Sequence, residues 1–201
     1  ASYKISSINP NANLVVSPAD HLILKNDIFI ESIRTTLDAT NKNNWLMTLG
    51  IKPTRPDTGY GYIQFKDNGI EGYDTNIRKV KTFTEKPTLD IAKTFIESGD
   101  FVWNSGIFVW KATNIIDAFA KYLPEINNVF KEGISKYNTD AEYEFIQQAY
   151  QVCTSVSIDY GVMEKADNVY TYTAAFDWSD LGTYGSLFEN MPKNAENNAI
   201  V

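Results

Sequence analysis

Apolar runs and amphipathic stretches alternate from the start of the chain. The runs at 13–17 and 45–51 are typical of buried strands. A helix is expected between them, with Asn26 or Asp27 as its N-cap. Its apolar face is formed by three residues at helical spacing, Ile30, Ile33 and Leu37. The pattern therefore predicts a strand, a crossover helix and a second strand.

The middle of the chain predicts a hairpin, a helix and an interrupted strand. Residues 60–65 and 77–87 read as strands, and the polar segment between them has the composition of an exposed turn. A helix begins at Thr88 and ends at Gly99. The strand at 101–110 follows. It is interrupted by three residues that disfavour a regular strand, Asn104, Ser105 and Gly106.

Helices and strands continue to alternate in the last third of the chain. Helical spacing occurs at 115–123 and again at 145–150, and a short helix is expected from Asp159. A strand at 168–178 and a closing helix at 181–191 complete the pattern. Because crossover helices join some strands while a hairpin joins others, we expect an α/β fold with a mixed, mostly parallel sheet flanked by helices.

Length and composition indicate a single folded domain. The chain has 201 residues, of which 43% are hydrophobic and 21% charged. We therefore expect residues 1–201 to form one domain, with no second domain. The net charge of −7 argues against a nucleic-acid partner, because such a surface requires clustered Lys and Arg. Small phosphorylated substrates remain open, since they need only a few cations or a metal ion.

Nothing in the sequence indicates export or membrane insertion. The apolar runs fall far short of the roughly 20 residues that span a bilayer, and no basic segment precedes an apolar one. The single cysteine, Cys153, cannot build a disulfide framework or a cysteine-based zinc site. We therefore expect a cytoplasmic protein without a membrane partner.

Polar residues suited to oxygen or phosphate chemistry end or interrupt several apolar strands. They form the segments "SPADH", "TEKP", "WNSG" and "FDWSDLG". Each segment alone is compatible with an ordinary turn. Together they predict a ligand site, because ligands gather at strand ends in α/β sheets. No Gly-rich phosphate turn follows the first strand, and we expect that a front segment is missing.

Longer motifs around these strand ends resemble a known family. In chain order they are "SPADHLI", "TGYGYIQ", "FTEKP", "WNSGIFVW", "SIDYGVMEKA" and "FDWSDLGTY". Their order and spacing are similar to the sugar-1-phosphate nucleotidyltransferases, and within these to the mannose-1-phosphate guanylyltransferases. The resemblance extends from Leu14 to Leu187 and implies the nucleotide-diphospho-sugar transferase (Rossmann-like) fold. The family's G-G-x-G-x-R signature, which binds the nucleotide triphosphate, is absent. The chain therefore resembles the C-terminal part of a catalytic domain, incomplete at the N-terminus.

The resemblance implies that Asp20 and Asp180 bind a divalent cation, Mg²⁺ or another such as Mn²⁺. Mg²⁺ takes one or two carboxylates and completes its octahedron with waters and phosphate oxygens. Asp177 competes with Asp180 in the same motif, but Asp180 matches the family's position, and Asp177 suits a structural role. His21 has no second His or Cys with which to bind zinc, so we expect it to form hydrogen bonds in its loop.

The resemblance also implies a set of residues that bind the sugar phosphate. Glu85 would accept hydrogen bonds from sugar hydroxyls, and Lys86 would contact the phosphate. Asn104 would form a hydrogen bond with the sugar, and Gly61 would present its backbone to the sugar ring. Two further residues would lie near the sugar phosphate, Asp159 and Lys165.

The implied reaction is attack by a phosphate oxygen of mannose 1-phosphate on the α-phosphorus of GTP, giving GDP-mannose and pyrophosphate. Catalysis would rest on positioning and charge, with Lys86, Asp20 and Asp180 as catalytic residues. Without the nucleotide-binding turn, we expect that this chain alone does not turn over. The sequence is compatible with a homo-oligomer.

Two other functions fit parts of the sequence. A non-catalytic regulatory relative would bind a nucleotide sugar without chemistry, but the presence of Asp20, Asp180 and Lys86 disfavours it. A metal-dependent glycosyltransferase usually has a D-x-D pair of ligands, and "DWSD" lacks that spacing.

Overall fold

The chain contains both helices and strands along its whole length, as the sequence predicts. The computed structural model describes residues 1–182 and 184–199. The helices are α1 (Ser2–Ser6), α2 (Asn26–Lys42), α3 (Leu89–Ser98), α4 (Ala112–Tyr122), α5 (Pro124–Lys131), α6 (Glu142–Val152) and α7 (Tyr184–Asn190). The strands are β1 (Asn13–Val16), β2 (Leu22–Ile23), β3 (Leu46–Ile51), β4 (Tyr62–Gly69), β5 (Ile77–Thr84), β6 (Phe101–Lys111), β7 (Val169–Ala174) and β8 (Trp178–Ser179). The short helix predicted from Asp159 is a π-helical turn, Asp159–Met163. Thr183, in the predicted closing helix, and residues 200 and 201 of the predicted domain lie outside the described residues.

The main sheet has six strands in the order β1-β6-β3-β7-β5-β4, and β4 also pairs with β6. The second sheet is a two-stranded ribbon of β2 and β8. The prediction of an α/β fold with a mixed sheet is confirmed. The prediction of a mostly parallel sheet is wrong, because in the described part of the chain only β3 and β7 pair in parallel within the main sheet.

The reason for this difference lies in where β6 is inserted. The crossover helix α2 joins β1 to β3, and both of these strands pair with β6 in antiparallel fashion. β1 and β3 therefore run in the same direction, as a crossover connection requires, but they are not neighbours. The pattern of buried residues is the same for either strand direction, so the sequence pattern could not reveal the insertion.

Alternate side chains of the central strands enter two hydrophobic cores. On β3, Met47 and Leu49 face the core that is covered by α2 and α3, while Leu46 faces the core that is covered by α4. All three side chains are fully buried, and each burial contributes about 1.5–3 kcal/mol relative to exposure. These two cores hold the strand ends that carry the predicted site residues.

The first strand and first helix are less buried than the sequence predicts. β1 pairs only with β6 and forms an edge of the sheet, so Val15 and Val16 are 41% and 45% exposed. The apolar face of α2 includes Ile33 and Leu37 as predicted, but Phe29 takes the place of Ile30, which is 45% exposed. The next small residues on that face, such as the buried Ser32 and Thr36, let the helix lie close to the sheet.

A bulge interrupts β6 where the sequence predicts an interruption. Thr48 of β3 pairs with Phe108 and Gly50 pairs with Asn104, so β6 has extra residues between these pairs. Gly106 lies in this bulge with φ +68°, a conformation that strongly favours glycine. The bulge is local, because pairing with β3 continues on both sides of it. It determines where the Asn104 side chain emerges from the sheet.

A third, smaller cluster of apolar side chains is formed by helices and by the turn between α5 and α6. The sequence pattern does not predict α1, whose Tyr3 hydroxyl donates a hydrogen bond to Asn127 Oδ1 of α5 at 2.7 Å. Tyr137 and Phe145 stack edge to face nearby, with ring centroids 5.7 Å apart. Within residues 1–182 and 184–199, no helix combines the length and apolar character that crossing a bilayer requires.

Candidate active site

Gly61 and Glu85 are in direct contact at one end of the β4–β5 hairpin. Gly61 precedes β4 and Glu85 follows β5, so the antiparallel pairing brings the two residues together. A Cβ atom at position 61 would lie 2.3 Å from Glu85 Oε1. Only glycine therefore leaves room for the carboxylate in this position. Two predicted site residues from different motifs meet here.

Asn104 links Gly61 to Asp159. Its backbone N–H donates to Gly61 O at 2.8 Å, and its side-chain Nδ2 donates to Asp159 Oδ1 at 2.8 Å. Its Oδ1 accepts hydrogen bonds from Thr48 Oγ1 at 3.3 Å and from the Gly106 N–H at 3.1 Å. The oxygen is thus fully engaged, while one amide N–H has no partner in the described part of the chain. The side chain is oriented as a hydrogen-bond donor.

The environment of this cluster disfavours negative charge. Burial raises the pKa of the Glu85 carboxyl and the nearby Asp159 carboxylate raises it further, while the Lys86 ammonium opposes both. Burial also raises the pKa of Asp159, against the hydrogen bond from Asn104. A ligand that brings hydrogen-bond donors would stabilise the charged carboxylates. Sugar hydroxyls are donors of this kind.

Two turns with left-handed backbone conformation flank the predicted site. Lys86, exposed and directly after Glu85, has φ +45°. Leu181, directly after Asp180, has φ +51°. This conformation costs a residue other than glycine about 1–2 kcal/mol, and such strain is concentrated at ligand sites. Each predicted catalytic residue from these two motifs therefore lies in, or next to, a strained turn.

The β2–β8 ribbon brings Asp20 and Asp180 to the same end. Leu22 pairs with Ser179 in antiparallel fashion, so the residues before β2 face the residues after β8. The pairing ends at this position, and the chain turns at Leu181, whose φ is +51°. Asp20 is exposed, and Asp180 is partly buried. The two predicted metal ligands, far apart in sequence, therefore lie at the same end of the ribbon.

Tyr60 contacts Asp180 and connects this ribbon to the sugar-side residues. Its hydroxyl donates a hydrogen bond to Asp180 Oδ1 at 3.1 Å. Burial and then the charge of Asp180 raise the pKa of Tyr60 to about 12, so the phenol remains a donor at neutral pH. Since Gly61 follows Tyr60 directly, one short segment contacts both Asp180 and Glu85.

His21 and Asp177 have the roles expected for them. His21 Nδ1 accepts a hydrogen bond from Trp178 Nε1 at 3.2 Å, and the two rings lie edge to face. Asp177 forms an ion pair with Lys25 at 3.0 Å, on the protein surface. The expectation of hydrogen bonding for His21 is confirmed, and the ion pair agrees with a structural role for Asp177.

Lys165 does not join this network. It is exposed after the π-helical turn, and its side chain forms no hydrogen bond or ion pair with another described residue. Burial and the Asp159 carboxylate raise the pKa of the neighbouring Glu164 carboxyl, and the Lys165 ammonium opposes them. The structure thus brings together Gly61, Glu85, Asn104 and Asp159, while Lys165 lies at the margin.

The donor set at Asp20 and Asp180 fits a hard divalent cation. Asp20 has no hydrogen-bond partner in the described chain, and neither does Asp180 Oδ2. Within residues 1–182 and 184–199, no group of three or more His, Cys, Asp or Glu could hold a metal ion. Mg²⁺ accepts two carboxylates as ligands when water and phosphate oxygens fill its other coordination positions.

Sequence reasoning missed the residues that hold the predicted ones in place. Thr48 orients Asn104, Tyr60 contacts Asp180, and Trp178 contacts both Tyr60 and His21. Tyr60 and Trp178 lie within the quoted motifs, which is a signal that sequence reasoning could have used. Thr48 lies in an apolar strand, where nothing in the pattern distinguishes it from a core residue.

Residues 4–197 match the family model described as nucleotidyl transferase. The chain belongs to the nucleotidyl transferase family. The chain is 34% identical over 199 residues to a mannose-1-phosphate guanylyltransferase from Escherichia coli, and the match covers 98% of the chain and 42% of that relative. It is also 34% identical to a mannose-1-phosphate guanylyltransferase from Sinorhizobium fredii (strain NBRC 101917 / NGR234), over 94% of the chain and 36% of the relative. The chain thus spans about two fifths of the length of these curated relatives.

Solved structures support the fold of this chain. A crystal structure of mannose-1-phosphate geranyltransferase from Thermus thermophilus matches with a TM-score of 0.79 and 30% identity, over 92% of this chain and 52% of the other. A crystal structure of mannose-6-phosphate isomerase from Helicobacter pylori matches with a TM-score of 0.71 and 27% identity, over 88% of this chain and 69% of the other. Both matches support the α/β nucleotidyltransferase fold with a mixed sheet.

Proposed function

We propose that the protein transfers a guanylyl group from GTP to mannose 1-phosphate. A phosphate oxygen of mannose 1-phosphate forms a bond to the α-phosphorus of GTP. The bond from that phosphorus to the oxygen bridging to the β-phosphate breaks, and pyrophosphate leaves with GDP-mannose as the other product. The family of the chain and the guanylyltransferase name of its relatives support this reaction. We propose the cytoplasm as its compartment, in keeping with the single cysteine.

The observation that carries the proposal is the contact network of Gly61, Glu85, Asn104 and Asp159. Four residues from four separate motifs contact one another in series at the strand ends. A turn formed by any one motif alone would not require contacts with the other three. Such convergence is expected where several elements contribute to one ligand site.

Each member of the network offers a particular interaction to a sugar phosphate. Glu85, whose protonation is favoured by burial, would accept hydrogen bonds from sugar hydroxyls. Asn104 would donate its remaining amide N–H, since its oxygen is already engaged twice. The exposed Lys86 ammonium would offset charge on the phosphate, and the backbone at Gly61 would lie beside the sugar ring.

We propose that Asp20 and Asp180 hold a divalent cation, Mg²⁺ or Mn²⁺. When bound, such a cation offsets charge on the phosphate oxygens and restricts their orientation. The protein's contribution is to hold two carboxylates at one end of the β2–β8 ribbon, where an exposed Asp20 leaves access for substrate. The strained turn at Leu181 fixes the chain directly after the second carboxylate.

Calorimetric titration of mannose 1-phosphate into the protein, with and without Mg²⁺, tests this proposal. We expect binding that Mg²⁺ strengthens, and weaker binding of glucose 1-phosphate. Asp180→Ala should remove the effect of Mg²⁺. Asp177→Ala is the matched control, because it changes a carboxylate in the same motif whose partner is the surface residue Lys25.

Two outcomes would contradict the proposal. If folded protein binds neither sugar phosphate under any condition, the network is not a sugar-phosphate site. If Asp177→Ala removes the effect of Mg²⁺ and Asp180→Ala does not, the assignment of the metal ligand is wrong. Formation of GDP-mannose and pyrophosphate from GTP and mannose 1-phosphate, measured with the same variants in a protein that includes the nucleotide-binding turn, tests the reaction itself.

A further inference from the structure

The two oxygens of the Asp180 carboxylate have different surroundings. Oδ1 accepts a hydrogen bond from the Tyr60 hydroxyl at 3.1 Å and a second from the Gly182 N–H at 2.9 Å. Oδ2 accepts none from any residue in 1–182 or 184–199. Two donors on one oxygen restrict rotation of the carboxylate and leave the other oxygen available.

The Tyr60 ring is itself held firmly. It is 8% exposed and lies edge to face against Trp103 and Trp178, with centroid separations of 5.0 Å and 5.2 Å. The Arg55 guanidinium lies over the Tyr60 ring, with its Cζ 5.9 Å from the ring centroid. Trp178 is two residues before Asp180 in the chain. The Tyr60 ring therefore packs against the same ribbon that carries the Asp180 carboxylate.

We infer that Tyr60 is a positioning residue, whose hydroxyl holds Asp180 Oδ1 so that Oδ2 is presented to a divalent cation. The inference rests on the proposed function, since it takes Asp180 as a metal ligand. It gives a role to Tyr60, which has none in the proposed function. It also states which of the two carboxylate oxygens binds the cation.

The physical reason is that a carboxylate that is already oriented loses less conformational freedom when it binds a cation. Hydrogen bonds to a coordinating carboxylate orient it, and their loss typically lowers metal affinity about 10-fold to 100-fold. Tyr60→Phe removes the hydroxyl and retains the ring that packs against Trp103 and Trp178. The expected effect is therefore on the cation and not on the fold.

Tyr62→Phe provides a matched control. Tyr62 lies in the same "TGYGYIQ" motif as Tyr60, is fully buried, and donates a hydrogen bond from its hydroxyl to the backbone oxygen of Asp57 at 2.9 Å. Its hydroxyl makes no hydrogen bond to Asp180. Both variants lose one buried tyrosine hydroxyl, but only Tyr60→Phe loses a contact with the proposed metal ligand.

The experiment is a titration of the protein with Mn²⁺, in which free Mn²⁺ is measured by electron paramagnetic resonance. We expect Tyr60→Phe to weaken Mn²⁺ binding about 10-fold or more, Tyr62→Phe to leave it within about 2-fold, and Asp180→Asn to abolish it. Binding of mannose 1-phosphate in the absence of metal should be the same in Tyr60→Phe and the unmodified protein. A general structural defect would weaken that binding as well.

Nuclear magnetic resonance of the unmodified protein gives a second readout that needs no substitution. With tyrosine labelled at Cζ with ¹³C, Mg²⁺ should shift the Tyr60 resonance and leave the Tyr62 resonance in place. Retained Mn²⁺ affinity in Tyr60→Phe, together with its loss in Asp180→Asn, would overturn the inference and leave the proposed function intact. Retained affinity in Asp180→Asn would overturn the proposed metal ligand, and the inference with it.

Discussion

The side-chain amide of Asn104 donates a hydrogen bond to Asp159 Oδ1 at 2.8 Å. The contact joins the bulge in β6 to the π-helical turn before β7, across two motifs that are separated by three helices. Because the Asn104 oxygen is held by Thr48 and Gly106, Asp159 completes the set of contacts that fixes this side chain. In the proposed function, Asp159 therefore acts on the sugar through Asn104.

Asp159→Ala should weaken binding of mannose 1-phosphate about 10-fold, because the Asn104 amide loses the acceptor that orients it. Asn104→Ala should weaken binding at least as much, since it removes the donor itself. In the double variant the losses should not add, and the interaction energy should be of the order of 1 kcal/mol. Calorimetry on the unmodified protein, the two single variants and the double variant measures this double-mutant cycle.

Asp140→Ala is a control for this cycle, because Asp140 is an exposed aspartate in the segment between α5 and α6. It should leave binding unchanged. Additive losses for Asn104→Ala and Asp159→Ala would mean that the two residues act independently on the ligand.

Glu85→Gln should raise the melting temperature at about pH 7 and leave it unchanged below about pH 4. Because burial raises the pKa of Glu85, the folded state binds its proton more tightly than the unfolded state. The folded protein is therefore most stable, with respect to this group, below the ordinary glutamate pKa. This stability is lost as the pH rises from the ordinary glutamate pKa through the raised pKa of Glu85 in the folded protein. The glutamine variant does not titrate and does not undergo this loss.

Thermal unfolding of both proteins across this pH range measures the effect. Glu71→Gln, at an exposed position in the turn between β4 and β5, serves as the control and should show no such difference. Glu85→Gln and the unmodified protein could instead differ in melting temperature by the same amount at both ends of the pH range. That result would exclude titration of Glu85 as the cause of the difference.

Element types could be predicted from the sequence because they depend on local periodicity. The helix from Leu89 to Ser98, the hairpin of β4 and β5, and the bulge at Gly106 all follow from residues close together in the chain. Strand direction and burial depend on which strands become neighbours. Whether β6 lies between β1 and β3, and whether β1 has a partner on its outer side, is not encoded in any local pattern.

The same distinction applies to the site. The motifs identify Glu85, Asn104 and Asp180 as single residues, since each lies at a strand end or in an interrupted strand. The contact between Tyr60 and Asp180 spans 120 residues of sequence, and its partners are fixed only when the ribbon packs beside β4. Spacing along the chain contains no information on such a contact, so a positioning residue like Tyr60 becomes visible only in the folded structure.

Lys86→Ala and Lys86→Gly should be equally defective in binding mannose 1-phosphate but should differ in stability. Both variants lose the ammonium that would contact the phosphate. At φ +45°, alanine retains the steric cost of the left-handed conformation, whereas glycine avoids it. We expect Lys86→Gly to exceed Lys86→Ala in free energy of unfolding by about 1 kcal/mol.

Urea denaturation gives the stability difference, and calorimetry gives the binding. Lys81, an exposed lysine of β5 with a surface ion pair to Asp100, provides the comparison for loss of a lysine charge. Lys81→Ala should bind mannose 1-phosphate normally. Equal stability of the two Lys86 variants would mean that the turn relaxes when the lysine is removed.

Gly61→Ala should abolish sugar-phosphate binding with little loss of stability. The added methyl group would overlap Glu85 Oε1, which would lie 2.3 Å away. The carboxylate is the far end of a flexible side chain, so it can rotate away at a modest cost in free energy, of the order of 1 kcal/mol. Binding is lost because the displaced Glu85 no longer faces the sugar.

Gly69→Ala is the matched control, since Gly69 lies at the other end of the same strand and a Cβ there would meet only Arg78 at 3.9 Å. Combining Gly61→Ala with Glu85→Ala separates the two causes of lost binding. If the methyl group acts only by displacing Glu85, the double variant should bind no more weakly than Glu85→Ala alone. A further loss in the double variant would mean that the methyl group itself occupies space needed by the sugar ring, and that the backbone at position 61 is in contact with the ligand.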